Sequence, residues 1–268
     1  MSEFKPEPYI GVSGIATSEQ HEKIFSFSER KKLGRFGHFV MVGVQATNKT
    51  QILEIENKRG RMWHPVGDEI TQASYNDETG LTRPYIHCFF EDDKELEYGL
   101  NIIMDRASSY CRGLQINGLH WLDKDYRPVL DRFLDSYPDQ SIIIQANSSI
   151  LDKYSPKEVA QTLKTMPVDY VLLDPSGGFG IKMDMKSIQP YVDEIYQQQI
   201  NVGVGIAGGL EAANLEELFG PLVEVYADLS CDAEGRFRKG LNGQTVINLD
   251  AVEDYLKKWE DIQGKKYQ

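Results

Sequence analysis

Short apolar runs recur along the chain, and most of them are almost uninterrupted by polar residues. Continuous runs of this kind are typical of strands that are buried on both faces, as in a parallel sheet covered by helices. They predict eight strands, namely Tyr9–Ser13, Phe39–Val44, Tyr85–Phe90, Gly113–Asn117, Ser141–Ala146, Val168–Leu173, Asn201–Ile206 and Val223–Leu229.

The segments between the predicted strands often carry apolar residues at helical spacing. After the third strand, Leu96, Leu100 and Ile103 fall on one face of a helix. Ser155–Glu158 forms a capping box with proline at the first helical position, which marks the start of another helix. A strand followed by a helix, repeated around the chain, predicts a single-domain (β/α)8 TIM barrel over residues 1–268. An open doubly wound sheet is the alternative topology.

One interval between strands is longer than the others. Its residues, Gln45–Pro84, are mostly polar and lack the apolar periodicity of a second domain, which predicts an enlarged loop after strand 2. Gln51–Glu56 is a candidate for a short strand within this loop. The loop also contains a basic and aromatic cluster, in which Arg59 and Arg61 are candidates to bind a carboxylate or phosphate of a ligand, with a solvated turn as the alternative.

The composition narrows the classes of function. The chain has 268 residues, 41% of them hydrophobic, and a formal net charge of −12, which disfavours binding to nucleic acid. No apolar run approaches the ~18 residues of a membrane helix, and no secretory signal pattern is seen, so we expect a cytoplasmic protein without a membrane partner. The 3 widely spaced cysteines indicate neither disulfides nor zinc. No nucleotide-binding fingerprint occurs, so we expect no cofactor and no metal.

The end of predicted strand 6 is the first candidate for chemistry. Active sites of barrels lie at the carboxyl ends of the strands. Asp174 directly follows this strand at the opening of the predicted barrel, where its surroundings can raise its pKa enough for acid–base catalysis. Gly177, Gly178 and Lys182 follow as a glycine-rich stretch typical of a substrate-binding lid. The alternative is that Asp174 only caps the turn that begins at the next residue, Pro175.

The ends of predicted strands 7 and 8 are typical of a phosphate-binding cup. Gly208 and Gly209 follow strand 7, where backbone N–H groups can approach an anion without an intervening Cβ. Asp228 and Ser230 lie at the predicted end of strand 8, and this turn supplies the second set of donors. A tight turn without a ligand is the alternative.

These segments resemble the phosphoribosylanthranilate isomerases, barrel enzymes of tryptophan biosynthesis. Leu172–Lys182 is similar to that family's strand-6 segment, Gly208–Leu210 matches its strand-7 GGL, and Asp228–Glu234 is close to its strand-8 run. Leu114–Gly118 looks like the family's strand-4 segment, with an asparagine where the family has a histidine. The resemblance covers Tyr85–Lys239 and the first strand. It implies a phosphate cup and places Asp174 at the position of the family's general acid.

Strand 1 departs from the family's pattern. Ser13 stands where the family has the cysteine that acts as general base, and Gly11 replaces its lysine. A serine hydroxyl is hardly ever deprotonated near neutral pH without a partner. The departure would be repaired if another group, such as His87 or Cys88, reached the same spot, although each is also explained as a core or rim residue.

Two hypotheses follow for the function. In the first, the barrel binds a small phosphorylated ligand such as a sugar phosphate and is an aldose–ketose isomerase of Amadori type, or a related epimerase or lyase, with catalytic residues Asp174 and Ser13. In the second, it is a non-catalytic relative that binds a ligand or a protein through the loop Gln45–Pro84. The expected state is a monomer or homodimer.

Overall fold

The computed structural model describes residues 5–56, 64–75, 77–90, 93–107, 109–176, 184–241 and 244–266. It confirms the (β/α)8 barrel, because eight parallel strands pair in chain order and the last pairs with the first. The barrel strands are β1 (Tyr9–Ile15), β2 (Phe39–Thr47), β3 (Thr82–Phe89), β4 (Gly113–Asn117), β5 (Ser141–Asn147), β6 (Tyr170–Asp174), β7 (Gly203–Ala207) and β8 (Ser230–Ala233). A two-stranded antiparallel sheet follows, formed by β9 (Arg238–Leu241) and β10 (Gln244–Ile247).

Helices surround the barrel and begin where the sequence provides caps. The side chain of Ser155 accepts a hydrogen bond from the backbone N–H of Glu158, and Thr17 caps the first helix in the same way. The α-helices are α1 (Ser18–Lys31), α2 (Asn48–Gln51), α3 (Glu69–Gln72), α4 (Leu96–Arg106), α5 (Arg127–Ser136), α6 (Ser148–Leu151), α7 (Pro156–Leu163), α8 (Met185–Gln197), α9 (Leu215–Leu218), α10 (Gly220–Val225) and α11 (Leu249–Lys266). None of the described helices has both the length and the apolar character needed to cross a membrane.

The barrel interior is divided into an apolar half and a polar half. Side chains alternate along each strand, so one set packs under the helices and the other fills the barrel. The amino-terminal half is filled by aromatic residues, among which the rings of Tyr9 and Tyr170 meet edge to face at 5.3 Å. Met41, Ile143 and Leu172 belong to the same buried cluster. The polar side chains therefore lie toward the carboxyl ends of the strands.

The enlarged loop between β2 and β3 is observed, but its predicted short strand is not. Helix α2 ends at Gln51, and residues 52–56 form no strand. Within its described part this loop contains only the single-turn helices α2 and α3. Arg59 and Arg61 lie outside the described residues.

The last barrel strand does not lie where the sequence predicts it. The apolar run Val223–Leu229 was expected to be strand 8, but its first residues belong to helix α10, and β8 begins only at Ser230. A short apolar run does not by itself distinguish a buried helix from a strand. As a result, Asp232 and Glu234 follow Ser230 at alternate positions toward the carboxyl end of the barrel.

Candidate active site

A layer of buried or partly buried polar side chains occupies the carboxyl half of the barrel interior. Among the described residues, every barrel strand except β7 provides a polar side chain for this layer. At the same level β7 has only the small residues Gly205 and Ala207. We call this layer the polar mouth, and its members are Ser13, Gln45, His87, Gln115, Gln145, Asp174 and Asp232. Polar groups are costly to bury without partners, and hydrogen bonds across neighbouring strands link these residues.

Asp232 is a buried acid of the polar mouth that is bonded to a residue of β1. Ser13 Oγ donates a hydrogen bond to Asp232 Oδ1 over 2.8 Å, and Ser13 is completely buried. Burial raises the pKa of Asp232 to about 8, and the charges of Glu234 and Asp174 act in the same direction, against the hydrogen bond from Ser13. Asp232 therefore holds its proton at neutral pH.

Asp174 is also buried, and its carboxyl group accepts three hydrogen bonds. Gln145 Nε2 donates to its Oδ2 over 2.7 Å, and the backbone N–H and hydroxyl of Ser176 donate to its Oδ1 over 3.0 Å and 2.6 Å. Hydrogen bonds from donors such as these favour the ionised form of a carboxyl group. The bonds to Ser176 also show that Asp174 caps the turn after β6. Both interpretations of this residue, the cap and the acid–base candidate, are thus compatible with the structure.

His87 reaches the spot beside Ser13, and Cys88 does not. A Cβ added at Gly43 would lie 2.6 Å from both His87 Nε2 and Ser13 Oγ, so these two atoms are neighbours in the mouth. Cys88 is the next residue on β3 and therefore points the other way, into the apolar core under the helices. Burial lowers the pKa of His87 to about 4, although the charge of Glu234 opposes this, so the imidazole is neutral at pH 7.

A chain of charged and amide groups runs from β9 to His87. Arg238 donates to the carbonyl oxygen of Gly14 over 2.9 Å and to Glu234 Oε1 over 3.2 Å. Gln45 Nε2 lies 2.9 Å from Glu234 Oε2 and 3.4 Å from His87 Nδ1. The Arg238 side chain is only 6% exposed, so this series of hydrogen-bonded groups begins at a residue that is held inside the protein.

The turn after β7 has the geometry that its two glycines allow. Gly208 and Gly209 have φ angles of 127° and 62°, which residues with a Cβ rarely adopt. Asn214 holds the turn, because its side chain donates to the carbonyl oxygen of Gly209 and accepts from the backbone N–H of Glu211, each over 2.9 Å. Arg236 lies beside it, with Nε 3.8 Å from a Glu211 carboxylate oxygen. This rim of the barrel combines glycine backbone and a half-exposed cation.

Asp228 and Ser230 lie at the other end of the barrel, contrary to the expectation for a phosphate cup. Asp228 accepts hydrogen bonds from Lys5 Nζ over 3.0 Å and from Tyr196 Oη over 2.8 Å. Ser230 Oγ accepts from the backbone N–H of Tyr9, the first residue of β1. Since β8 starts at Ser230, both residues are at its amino-terminal end, and the structure assigns them a structural role there.

Comparisons with known proteins agree with the barrel. A solved protein from Aquifex aeolicus VF5 aligns with a TM-score of 0.50 at 11% identity, over 96% of this chain and 91% of that chain. A mandelate oxidase mutant with an FMN adduct aligns with a TM-score of 0.50 at 10% identity, over 96% and 74%. Tryptophan synthase from M. tuberculosis has a TM-score of 0.44 at 11% identity, over 96% and 91%. No family model and no curated relative matches. The two likenesses with a TM-score of 0.50 show the fold alone.

Three residues predicted to bind substrate, Gly177, Gly178 and Lys182, lie outside the described residues. No individual role was predicted from the sequence for five other residues of this region, namely Asp232, Glu234, Gln45, Arg236 and Arg238. Because strand 8 was misplaced, Asp232 and Glu234 were expected in the loop beyond the strand, together with Ser230. Asp232 and Glu234 follow Ser230 by two and four residues, and with the correct strand boundary this alternation would have placed their side chains inside the barrel.

Proposed function

We propose that the protein is an isomerase that moves a proton within a small phosphorylated sugar at the polar mouth of the barrel. The observation that supports this most strongly is the pair of buried carboxyl groups, Asp174 and Asp232, which lie in the same polar layer and have different hydrogen-bond partners. Two carboxyl groups whose environments favour different protonation states are a common arrangement for acid–base catalysis. The resemblance to the phosphoribosylanthranilate isomerases supports the aldose–ketose class of reaction.

The roles of the two acids follow from their surroundings. Asp174, ionised, removes a proton from the carbon next to the carbonyl group, and the electron pair of the broken C–H bond forms a carbon–carbon double bond. Asp232, protonated, gives its proton to the carbonyl oxygen, which produces an enediol. Asp174, now protonated, returns its proton to the former carbonyl carbon. At the same time the hydroxyl group on the neighbouring carbon gives its proton to the Asp232 carboxylate, so that a new carbonyl group forms there and both acids return to their starting states. This assignment makes Asp174 the base, whereas the family resemblance makes it the acid.

The turn at Gly208 and Gly209 is the proposed phosphate site. Backbone N–H groups without a neighbouring Cβ can approach phosphate oxygens closely, and barrels often bind phosphate at the end of this strand. Arg236 supplies a cation next to the turn, and its contact with Glu211 at 3.8 Å is loose enough to be exchanged for a ligand. The glycine turn is the strand-7 half of the cup that the sequence predicted, and Arg236 takes the place of the strand-8 half.

An isotope-exchange experiment tests the proposed reaction. Ribose 5-phosphate, glucose 6-phosphate and phosphoribosylanthranilate are incubated with the protein in D2O, and NMR follows deuterium at C2. We expect exchange with at least one of them, reduced by about 10²–10⁴-fold in Asp174→Asn because the base is lost. Asp169→Asn is the matched control, since Asp169 lies just before the same strand at its amino-terminal end and accepts from the backbone N–H of Ile142.

Two results would contradict the isomerase proposal. One is the absence of C2 exchange with all three sugars, and the other is equal exchange rates in Asp174→Asn and Asp169→Asn. Either result would favour the second candidate function, a non-catalytic relative that binds partners through the enlarged loop. The observation in favour of that candidate is the exposure of Leu53 and Ile55 in this loop, at 63% and 49%.

A further inference from the structure

We propose that His87 is a third catalytic group, a neutral imidazole whose Nε2–H donates a hydrogen bond to the substrate's carbonyl oxygen, and that Arg238, Glu234 and Gln45 fix its tautomer. The proposal rests on the proton-transfer function proposed above for the same site. It assigns a role to a histidine for which the sequence offered only a core position or replacement of a missing base. Gln45, Glu234 and Arg238 are positioning residues in this scheme.

The orientation of the Gln45 side-chain amide is fixed by its contact with Glu234. An ionised carboxylate only accepts hydrogen bonds, so the group that Gln45 presents to Glu234 over 2.9 Å must be its NH2. Glu234 itself is held by Arg238, whose guanidinium cannot be deprotonated and also donates to the carbonyl oxygen of Gly14. The amide therefore has one orientation rather than two.

The tautomer of His87 is fixed in turn by its contact with Gln45. The same NH2 group of Gln45 lies 3.4 Å from His87 Nδ1, and because it can only donate, Nδ1 must accept. A neutral imidazole that accepts at Nδ1 has its proton on Nε2. An imidazolium would instead set two donors against each other, and burial also disfavours the charged ring by lowering the pKa of His87.

The Nε2–H group of His87 lies on the side of the polar mouth where Ser13 and Asp232 are found. His87 is 5% exposed, and its Nε2 has no hydrogen-bond partner among the described residues. A buried donor without a partner is rare in folded proteins, and a ligand oxygen would provide one. Nε2 adjoins the Ser13 hydroxyl, which in turn is bonded to Asp232. A carbonyl oxygen placed there would receive a hydrogen bond from His87 and a proton from Asp232.

NMR of 15N-labelled histidine in the ligand-free protein tests the tautomer without any substrate. The two ring nitrogens give different shifts in the two neutral tautomers and in the imidazolium, and the His87→Gln variant assigns the signal among the 5 histidines. We expect the neutral Nε2–H form in the wild type between pH 6 and pH 8. In Glu234→Gln and Gln45→Leu this single form should be replaced by a mixture, whereas Gln115→Leu, a matched change on β4, should retain it.

A wild-type signal from the Nδ1–H tautomer or from the imidazolium would overturn the proposal, and so would an unchanged single tautomer in both relay variants. The wild-type spectrum decides this even if a variant fails to fold. Activity gives a second readout: His87→Leu should lower kcat by about 10²-fold, as loss of one transition-state donor does. His87→Gln, which retains an N–H donor, should lose less. The expected tautomer in a protein without C2 exchange would contradict the isomerase function alone.

Discussion

At the scale of single residues, the polar mouth depends on small side chains that make room for functional ones. Gly43 on β2 is the clearest example, because His87 and Ser13 both occupy the space in which its Cβ would lie. Gly11 on β1 is similar, since a Cβ there would lie 2.4 Å from an Asp232 carboxylate oxygen. At these two positions glycine is needed because side chains from neighbouring strands pack against its backbone, and not because the chain turns there. A glycine with this role lies inside an ordinary strand, so its importance is not evident from the sequence.

Gly43→Ala is therefore expected to disturb both stability and the site. The added methyl group meets His87 Nε2 and Ser13 Oγ at 2.6 Å, so at least one of these side chains must move. Overpacking of this kind costs about 1–3 kcal/mol of unfolding free energy, which urea denaturation measures. Gly240→Ala is the control, because its Cβ would have no heavy atom within 4 Å. Equal stability of the two variants would show that the mouth is not packed as described.

At the scale of elements, the loops after the strands decide what the barrel can bind. The turn after β7 is held by Asn214 and presents two glycines with left-handed backbone. The segment after β8 contributes the acidic residue Glu234, which is paired with Arg238, and the half-exposed cation Arg236. A phosphate group is therefore expected at the β7 turn, and the sugar toward β1, β3 and β6.

A thermal-shift comparison of Gly209→Asp and Gly209→Asn tests the phosphate site. Asn and Asp both tolerate the φ of 62° at this position better than other residues with a Cβ, so the pair differs mainly in charge. We expect ribose 5-phosphate to raise the Tm of the wild type more than ribose does. The Asn variant should retain part of this rise and the Asp variant none. A rise that is equal for ribose, or unchanged in Gly209→Asp, would rule out phosphate binding at this turn.

Most elements of the fold could be predicted because parallel strands that are buried on both faces appear in the sequence as continuous apolar runs. Strand 8 was missed since helix α10 is short and also apolar, with Leu222 and Val223 buried. Because of that one error, Asp228 and Ser230 were predicted at the wrong end of the barrel, and Asp232 was predicted in a loop instead of inside the barrel. Asp174 was found because it directly follows an apolar run. The contact of Gln45 with Glu234 could not be predicted, since it joins residues 189 positions apart.

At the scale of the whole molecule, closure of the barrel creates the site. Ser13 and Asp232 are 219 positions apart in the sequence and meet only because β1 pairs with β8. The aromatic half of the interior supplies the packing that stabilises the fold. The polar half places carboxyl groups near each other inside an already acidic protein, which disfavours folding. Features that oppose stability in this way are typical of functional sites.

The proposed proton transfer requires Asp232 to be protonated and Asp174 to be ionised in the same polar mouth at neutral pH. A 13C NMR titration of labelled aspartate carboxyl groups, assigned with Asp232→Asn and Asp174→Asn, measures this directly. We predict that the Asp232 signal remains that of the acid through pH 7 and changes near pH 8, where its pKa of about 8 lies, while the Asp174 signal at pH 7 is that of the carboxylate. An ionised Asp232 at pH 6, or a protonated Asp174 at pH 7, would contradict the account.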